Sequence, residues 1–234
     1  MRRSARRSWR RMLLRWLGYL LLTLLLFWGA GLLLWRFVLP PATPLMVIRA
    51  VEQGAWVDYR PVRLEQMAAS LPRTVIVAED GRFCLHNGLD LAAVEEAIQD
   101  FRERGRLRGA STITMQVARN LFLWNGGGAV RKALELPLAL ALDALWPKER
   151  ILEVYLNIAE WGDGVFGAEA AARKHFGKAA AHLTAAQSAR LAAVLPSPRR
   201  WNAAQPGPYV AQRTQTLLRR AGQLNRHQTA CWSH

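Results

Sequence analysis

The stretch KERILEVYLNIAEWG, residues 148–162, decides the fold class because its apolar residues recur at helical spacing. Ile151, Leu152, Tyr155 and Ile158 form one stripe with the period of an α-helix, and Gly162 ends it. A half-buried strand would instead alternate apolar and polar residues. The stretch therefore predicts an amphipathic helix with one face on a core.

Helical patterning extends in both directions from this stretch. In LAAVEEAIQDFRERGRLR, residues 91–108, one apolar face is predicted. Its members are Leu91, Val94, Ile98 and Phe101. The segment LTAAQSARLAAVLPSP begins with a capping box, Thr184 with Gln187, and stops at Pro196. From residue 64 onward we therefore predict a mainly α-helical domain.

Three segments do not follow the helical pattern. TVIVAE, residues 74–79, has the β-branched density of a buried strand, and propensity alone favours a strand there. NGGG at 125–128 and GDGVFG at 162–167 are expected to be flexible breaks. No hairpin signal of the Asn-Gly type lies between two alternating runs, which favours a mainly helical domain.

The N-terminal end carries most of the positive charge. The first 50 of the 234 residues contain nine arginines and no acidic residue, which is more than half of the net charge of +15. Next to these arginines, WLGYLLLTLLLFWGAGLLLW, residues 16–35, has no charged side chain and would reach roughly 30 Å as a helix, the thickness of a bilayer core. We predict a transmembrane helix, with a cleaved signal peptide as the alternative.

The flanks of this helix predict its orientation. Trp16 and Trp35 stand at its two ends, and the arginines on its N-terminal side place residues 1–15 in the cytoplasm. We therefore expect a cytoplasmic basic tail (1–15), an anchor (16–38), a juxtamembrane linker (39–63) and an exported domain (64–230). Because the basicity belongs to the leader, no nucleic acid is expected as a partner. Whether Cys84 and Cys231 pair cannot be read from the sequence.

Four motifs follow one another in the exported part: EDGRFCLHNGLD from Glu79, GASTITMQVARNLFL from Gly109, RKALE at 131–135 and KERILEVYLNIAEWGDGVFGAEAAARKHFGK from Lys148. In kind and order they resemble the motifs of the peptidoglycan glycosyltransferases, glycosyltransferase family 51, which include the polymerising domain of bifunctional penicillin-binding proteins. LNIAEWGDGVFGAEAAA looks most like the monofunctional biosynthetic type. The similarity runs from about residue 65 to about residue 200.

The resemblance implies a lysozyme-like glycosyltransferase domain behind one N-terminal transmembrane helix, in the bacterial inner membrane with its catalytic domain periplasmic. It implies that a lipid-linked growing glycan is transferred to the 4-hydroxyl of lipid II with inversion, forming β-1,4 linkages for cell wall biogenesis and cell shape. Glu79 then corresponds to the general base and Glu135 to the second glutamate, near the donor's phosphates. TVIVAE would become the end of a helix, against its propensity.

The proposed chemistry fits the residue types. The acceptor hydroxyl must lose a proton, and a carboxylate such as Glu79 is a suitable base if burial or its neighbour Asp80 raises its pKa. The leaving pyrophosphate is a stable anion, so it needs cations more than a proton. Arg119, Arg131 and Lys132 could supply them.

Glu135 lies one helical turn from Arg131 and could orient the cations or help to hold a divalent metal on the pyrophosphate. An ordinary surface ion pair is the alternative. No protein-ligated metal site and no certain cofactor are predicted.

Further polar groups are expected to contact substrate. They are Asp80, His86, Ser111, Thr112, Gln116 and Asn120. Ser111 is the expected N-cap of a helix whose N–H groups could bind an anion. Phe83 could pack on a sugar or in the core, and a lone histidine such as His86 is more often structural.

The sequence departs from the family pattern at three positions. Met115 stands where glutamine is common, and Arg119 stands where lysine is usual. Pro137 should kink the helix that carries Glu135 or mark a non-helical segment.

Two rival functions stay open: a lysozyme-like hydrolase or lytic transglycosylase, and an inactive membrane-anchored scaffold for wall precursors. Neutral glycan offers no pyrophosphate for the cations, and both glutamates are present, so we predict the polymerase. Its expected partners are lipid II, the lipid-linked glycan, the membrane and other wall-synthesis or division proteins.

Overall fold

A computed structural model describes residues 2–105, 109–124 and 126–232, without the side chains of residues 2–8. The described chain forms two units, one up to Leu39 and one from Pro40 onward. Residues 106–108, which end the predicted helical segment 91–108, and Asn125, the first residue of the predicted break NGGG, lie outside the described residues.

The first unit is built on one helix, α1 (Arg2–Trp35). Within it, Trp9–Trp35 has a mean hydropathy of 2.1 and is long and apolar enough to cross a membrane. The helix begins well before residue 16, so the arginine-rich tail continues it. A signal sequence shares these features, and the anchor boundaries 16–38 stay a prediction.

The second unit is mainly helical, as predicted. Its helices are α2 (Pro44–Gln53), α3 (Ser70–Glu79), α4 (Leu91–Arg104), α5 (Ile113–Phe122), α6 (Gly128–Leu145), α7 (Lys148–Ile158), α8 (Ala168–Phe176), α9 (Ala185–Val194), α10 (Pro208–Gly222) and α11 (Arg226–Thr229). Short 3₁₀ turns span Leu64–Gln66, Phe83–Leu85 and Ala180–His182.

Much of the segment expected to be a linker, residues 39–63, folds with the second unit. It contains α2, which packs against α5, and strand β1 (Asp58–Tyr59). Thr43 caps α2 by accepting a hydrogen bond from the Met46 N–H, and Met46 is buried. The folded unit therefore begins earlier than residue 64, because the apolar side of α2 adds to the core.

Helix α7 lies at the centre of the core, where the sequence places its apolar stripe. Every residue from Ile151 to Ile158 is buried. The two polar members of this run hold the chain that leads into the 3₁₀ turn at Leu64: Glu153 Oε2 accepts from the Leu64 N–H at 2.8 Å, and the Asn157 amide bonds the N–H and C=O of Val62, both at 2.9 Å. Buried polar groups are thus paired with backbone.

TVIVAE forms the C-terminal part of α3, so the strand favoured by propensity is wrong and the helix implied by the family resemblance is correct. Leu71, Val75 and Ile76 are fully buried, at the helical spacing, where α3 packs against α9 and α10. β-Branched residues lose little in a helix whose face is covered by neighbours. Tertiary packing therefore overrides the local propensity.

Helix α4 forms where predicted, but its apolar stripe does not face the core. Leu91, Val94, Ile98 and Phe101 are 69, 38, 48 and 52% exposed, and no residue of α4 is buried. Asp90 caps the helix through the Ala93 N–H, and Gly105 ends it in the left-handed conformation. Local signals thus determine where the helix forms. They do not determine whether another element covers its apolar side.

GDGVFG is not a flexible break. Strands β2 (Glu160–Gly162) and β3 (Val165–Phe166) form an antiparallel hairpin, and β1 pairs in parallel with β3 to give the order β1-β3-β2. Gly164 takes a φ of +69° at the turn, and Trp161 and Phe166 are fully buried. Burial of the apolar residues of the hairpin, rather than an Asn-Gly turn, stabilises it.

Two groups of helices form the walls around the candidate site. Helix α9 packs against α3 and α10, and α5 packs against α6 and α7. The capping box at Thr184 and Gln187 is confirmed, with bonds of 3.0 and 3.2 Å starting α9. Helix α6 continues through Pro137, which is exposed, and the proline therefore does not end the helix as one alternative had it.

Cys84 and Cys231 form a disulfide.

Candidate active site

Glu79 is the last residue of α3 and its side chain is only 15% exposed. Its Oε2 accepts a hydrogen bond from Gln116 Nε2 on α5 at 3.1 Å. The hydroxyl of Tyr155, on α7, donates to Gln116 Oε1 at 3.3 Å. Gln116 is thereby oriented with its amide N–H groups toward the carboxylate.

Burial raises the pKa of Glu79, and this is the largest effect on it. The bond from Gln116 and the charges of Arg213 and Arg119 act in the opposite direction, while Asp80 contributes the smallest increase. A carboxylate with a raised pKa binds a proton more readily, as a general base should. The raised pKa of Glu79 therefore comes mainly from desolvation and only to a small extent from Asp80, the neighbouring acid that the sequence suggested.

Asp80 connects the end of α3 to the start of α5. Its carboxylate meets His86 Nε2 at 2.9 Å and accepts from the Ile113 N–H at 2.9 Å. The start of α5 is therefore occupied by this carboxylate, and the expected anion site on its N–H groups is not open. The His86 side chain is 7% exposed, which fits the structural alternative for this histidine.

Thr112, not Ser111, caps α5. Its Oγ1 accepts from the Met115 N–H at 3.1 Å and donates to the Gly88 carbonyl at 2.6 Å. Gly88 has a φ of +82°, and a Cβ there would lie 2.8 Å from the Ala139 carbonyl oxygen of α6. The turn after Glu79 is thus clamped between α5 and α6, and the Thr112 side chain is buried.

Ser111 is left free for a different partner. Lys132 Nζ, on α6, donates to Ser111 Oγ at 2.7 Å and lies 3.5 Å from Glu135 Oε2. Arg131 forms the second ion pair with Glu135, whose side chain is 2% exposed. The i, i+4 pair read from the sequence is therefore a buried ion pair rather than a surface one.

Arg119, Arg131 and Lys132 form a crowded cluster, which we call the α5/α6 cations. Burial lowers the pKa of all three, and the pKa of Lys132 is lowered further by the charges of Arg119 and Arg131. Glu135 pairs with Arg131 and Lys132, whereas the carboxylate that acts on Arg119 is Glu79. The repulsion among these three cations favours binding of another anion.

Two predicted substrate residues are placed differently. Phe83 is fully buried, with Lys148 Nζ 4.7 Å from its ring centre, so it belongs to the core and not to a sugar platform. Asn120 is 8% exposed and accepts from Arg119 Nε at 3.4 Å, a contact that orients the arginine. The Met115 side chain is also buried.

Sequence reasoning missed Tyr155 and Arg213. Tyr155 was assigned only to the core stripe of α7, and burial raises its pKa well above the usual value, so it remains a donor. Arg213 Nη2, on α10, lies 3.8 Å from Glu79 Oε1. No local motif marks this arginine, since it reaches Glu79 across 134 positions of chain.

The chain matches known proteins over most of its length. Residues 46–222 match the family described as Transglycosylase. Three similar proteins bear the name biosynthetic peptidoglycan transglycosylase. They come from Caulobacter vibrioides (48% identical, covering 91% of this chain and 94% of the relative), Rhodospirillum centenum (51%, 82% and 83%) and Pseudomonas aeruginosa (50%, 81% and 84%).

Proposed function

The chain belongs to the transglycosylase family, whose domain is lysozyme-like, and on that premise we propose the course of its reaction. It is a peptidoglycan glycosyltransferase that polymerises glycan chains for cell wall synthesis. We propose that a lipid-linked growing glycan is the donor and lipid II the acceptor, with polyprenyl pyrophosphate as the second product.

Glu79 takes the proton in this reaction. The 4-hydroxyl oxygen of the acceptor forms a bond to the anomeric carbon of the donor, and its proton goes to the Glu79 carboxylate. Burial gives that carboxylate its raised pKa, and Gln116 fixes its orientation. Attack from the side opposite the leaving group gives inversion and a β-1,4 linkage.

The α5/α6 cations receive the leaving group. The bond between the anomeric carbon and the phosphate oxygen breaks, and the pyrophosphate leaves with its electron pair. Arg119, Arg131 and Lys132 offer charge and N–H donors where that negative charge develops. Binding of the anion also relieves the repulsion among these cations.

Glu135 holds the cations in place. Its buried carboxylate is engaged by Arg131 and Lys132, which suits an orienting residue better than a metal ligand. Within residues 2–105, 109–124 and 126–232, no group of three or more metal-ligating side chains of the His, Cys, Asp and Glu type occurs. Any divalent ion would therefore be held mainly by the pyrophosphate itself.

The crowding of three mutually repelling cations beside a buried base carries the proposal. A hydrolase acting on finished glycan meets no pyrophosphate and instead needs a protonated acid to assist an alkoxide leaving group. An inactive scaffold would not need the buried, pKa-raised Glu79. The geometry therefore favours the polymerase over both rivals.

We further propose a single-pass protein of the bacterial inner membrane with the second unit in the periplasm. Trp9–Trp35 suits a membrane anchor by length and composition. Arginines on its N-terminal side favour a cytoplasmic N-terminus. Both lipid-linked substrates would then meet the domain at a high local concentration.

Incubation of the detergent-solubilised full chain with labelled lipid II tests the function. The wild type is expected to give polymer that lysozyme digests, and Glu79→Gln is expected to lose about 100-fold or more of the rate because its base is gone. Gel electrophoresis of the products measures both.

Glu65→Gln is the matched control, since it neutralises an exposed carboxylate of the same chain and should leave the rate unchanged. Soluble sugars released from finished glycan, with no polymer from lipid II, would support the hydrolase instead. Equal polymer from wild type and Glu79→Gln would remove Glu79 from the role of base.

A further inference from the structure

The segment that follows Glu79 is closed on itself by polar contacts. Residues 80–90, which we call the base loop, lead from the end of α3 to the cap of α4. Asp80 and His86 meet at 2.9 Å, so their side chains bridge the 3₁₀ turn Phe83–Leu85. The Asp80 carboxylate also accepts from the Ile113 N–H at the start of α5. The turn, the base and α5 are thus linked through the side chain of Asp80.

This link bears on the reaction because α5 carries Gln116, which donates to Glu79 Oε2 at 3.1 Å. The orientation of the carboxylate therefore depends on where α5 lies relative to the end of α3, and the bond from Ile113 to Asp80 fixes that position. A displacement of roughly 1 Å near a reacting group can lower a rate about 100-fold. The base loop must therefore be held firmly.

The disulfide holds the turn of the base loop from outside. Cys84 is the middle residue of the turn, between the buried Phe83 and Leu85, which is 58% exposed. Cys231 follows α11, and α11 packs against the turn. The turn is thus fixed by Phe83 on its core side and by the C-terminal segment on its other side.

Helix α11 is a single turn of four residues, which is too short to be stable alone. Its capping box, Asn225 with Gln228, acts only within that turn. Arg73 on α3 donates to the Leu224 carbonyl at 3.4 Å, and Trp232 is buried. Non-covalent contacts of this kind can open locally, whereas an intact disulfide keeps the segment on the base loop.

The state of this bond is set from outside the chain. The sequence has two cysteines, so no other intrachain disulfide can replace the bond between Cys84 and Cys231. Both residues are partly exposed, and an external thiolate can therefore reach a sulfur. In an oxidising compartment, such as the periplasm proposed for the second unit, the bond persists.

We propose that this disulfide is a redox-dependent clamp on the base loop, so that the chain polymerises at its full rate only when Cys84 and Cys231 are bonded. The inference rests on the proposed function. It makes the two cysteines positioning residues, since they act on Glu79 through the turn, Asp80 and α5.

A thiol–disulfide oxidoreductase with two active cysteines is the class of partner that changes the state of the clamp. One of its thiolates attacks a sulfur of the bond to form a mixed disulfide, and its second thiolate then displaces the cysteine of this chain. The chain gains two electrons and two protons as two thiols, while the oxidoreductase leaves with a disulfide. The reverse reaction forms the clamp.

Reduction of the purified full chain with dithiothreitol in detergent tests the inference. Titration of free thiols establishes that both cysteines are reduced, and polymerisation of lipid II is followed well below the melting temperature of the reduced chain. The kcat is expected to fall about tenfold, with the KM for lipid II changed less than about twofold, because the base loop orients the base. Reoxidation with oxidised glutathione should restore the kcat.

The double variant Cys84→Ser and Cys231→Ser is the matched control. It should have the low kcat from the start and should not respond to dithiothreitol, which shows that the reagent does not act on the assay. If this variant does not fold, the reduced wild type, which is made from the folded oxidised chain, still carries the test.

Hydrogen exchange measured by mass spectrometry supplies a readout that does not depend on activity. On reduction, residues 80–90 should exchange faster, at labelling times at which α7 (Lys148–Ile158) stays protected. A bond that only stabilised the fold would lower the melting temperature and leave both the kcat and this exchange unchanged at the assay temperature.

An unchanged kcat in the fully reduced wild type, or unchanged exchange of the base loop, would overturn the inference. A fall in kcat that coincides with loss of protection in α7 would also overturn it, since the chain would then simply be unfolding. If the oxidised wild type makes no polymer from lipid II, the proposed function fails, and hydrogen exchange alone decides whether the disulfide clamps the base loop.

Discussion

Burial and nearby positive charge have opposite effects on the pKa of Glu79. Burial raises its pKa, whereas Gln116, Arg213 and Arg119 lower it. A base must be ionised at the start of the reaction and protonated at its end, so a raised pKa that the cations keep from rising too far suits both states. With Glu79 as the proposed base, we expect the surrounding side chains to set the pH range of the reaction.

Arg213→Gln removes the nearest cation from Glu79, so the pKa of Glu79 is expected to rise further. A larger fraction of the base is then protonated at a given acidic pH. The acidic limb of the plot of kcat/KM against pH should move to higher pH, and activity above that limb should fall much less.

Arg213→Lys retains the positive charge and is expected to keep the acidic limb near that of the wild type. A limb that stays in place in Arg213→Gln, or moves to lower pH, would show that Arg213 does not act on the charge of Glu79.

Helix α5 distinguishes a structural hydroxyl from a functional one at adjacent positions. Thr112 caps the helix and bonds the Gly88 carbonyl, whereas Ser111 accepts from Lys132. Sequence alone assigned the cap to Ser111, because Ser and Thr are nearly equal as N-caps and the two are adjacent. The choice depends on Gly88 and Lys132, which are distant in the chain.

Thr112→Ala should lower the free energy of unfolding by about 1–2 kcal/mol, since it removes the cap and leaves the Gly88 carbonyl without this donor. Ser111→Ala should change stability by less than about 0.5 kcal/mol. Its kcat/KM should nevertheless fall by roughly tenfold, because Lys132 loses the hydroxyl that positions it. Thermal unfolding and lipid II polymerisation measure the two effects.

Thr112→Ser keeps the hydroxyl and is expected to keep most of the stability. If Ser111→Ala proved to be the destabilising member of the pair, the cap would belong to Ser111 after all.

The disulfide joins distant parts of the second unit. Cys84 lies in the 3₁₀ turn just after Glu79, and Cys231 follows α11, at a sequence separation of 147 residues. Helix α11 packs against that turn. The C-terminal end of the described chain therefore supports the loop that holds Asp80 and His86.

Reduction of this bond, or the double change Cys84→Ser and Cys231→Ser, should lower the free energy of unfolding by about 2–4 kcal/mol. The bond closes a long loop, so the unfolded chain gains much freedom when it is absent. Melting temperature with and without reductant measures the effect in wild type, and the double serine variant should not respond to reductant. Equal melting temperatures after thiol titration has confirmed reduction would contradict this expectation.

The sequence by itself determined the features that depend on neighbouring residues: the apolar span near the N-terminus, the helix α7, the capping box of α9 and the order of the motifs around Glu79 and Glu135. Periodicity and caps act within one or two turns, so they can be read locally. The family resemblance corrected TVIVAE, whose local propensity favours a strand.

Only the tertiary structure decided which faces are covered and which distant residues meet. It exposes the stripe of α4, buries Phe83, pairs Cys84 with Cys231 and brings Arg213 to Glu79. Each of these depends on packing between elements far apart in the chain, and no local pattern encodes that packing. The pKa of Glu79 depends on it most directly, because desolvation exists only once α3, α5 and α10 enclose the carboxylate.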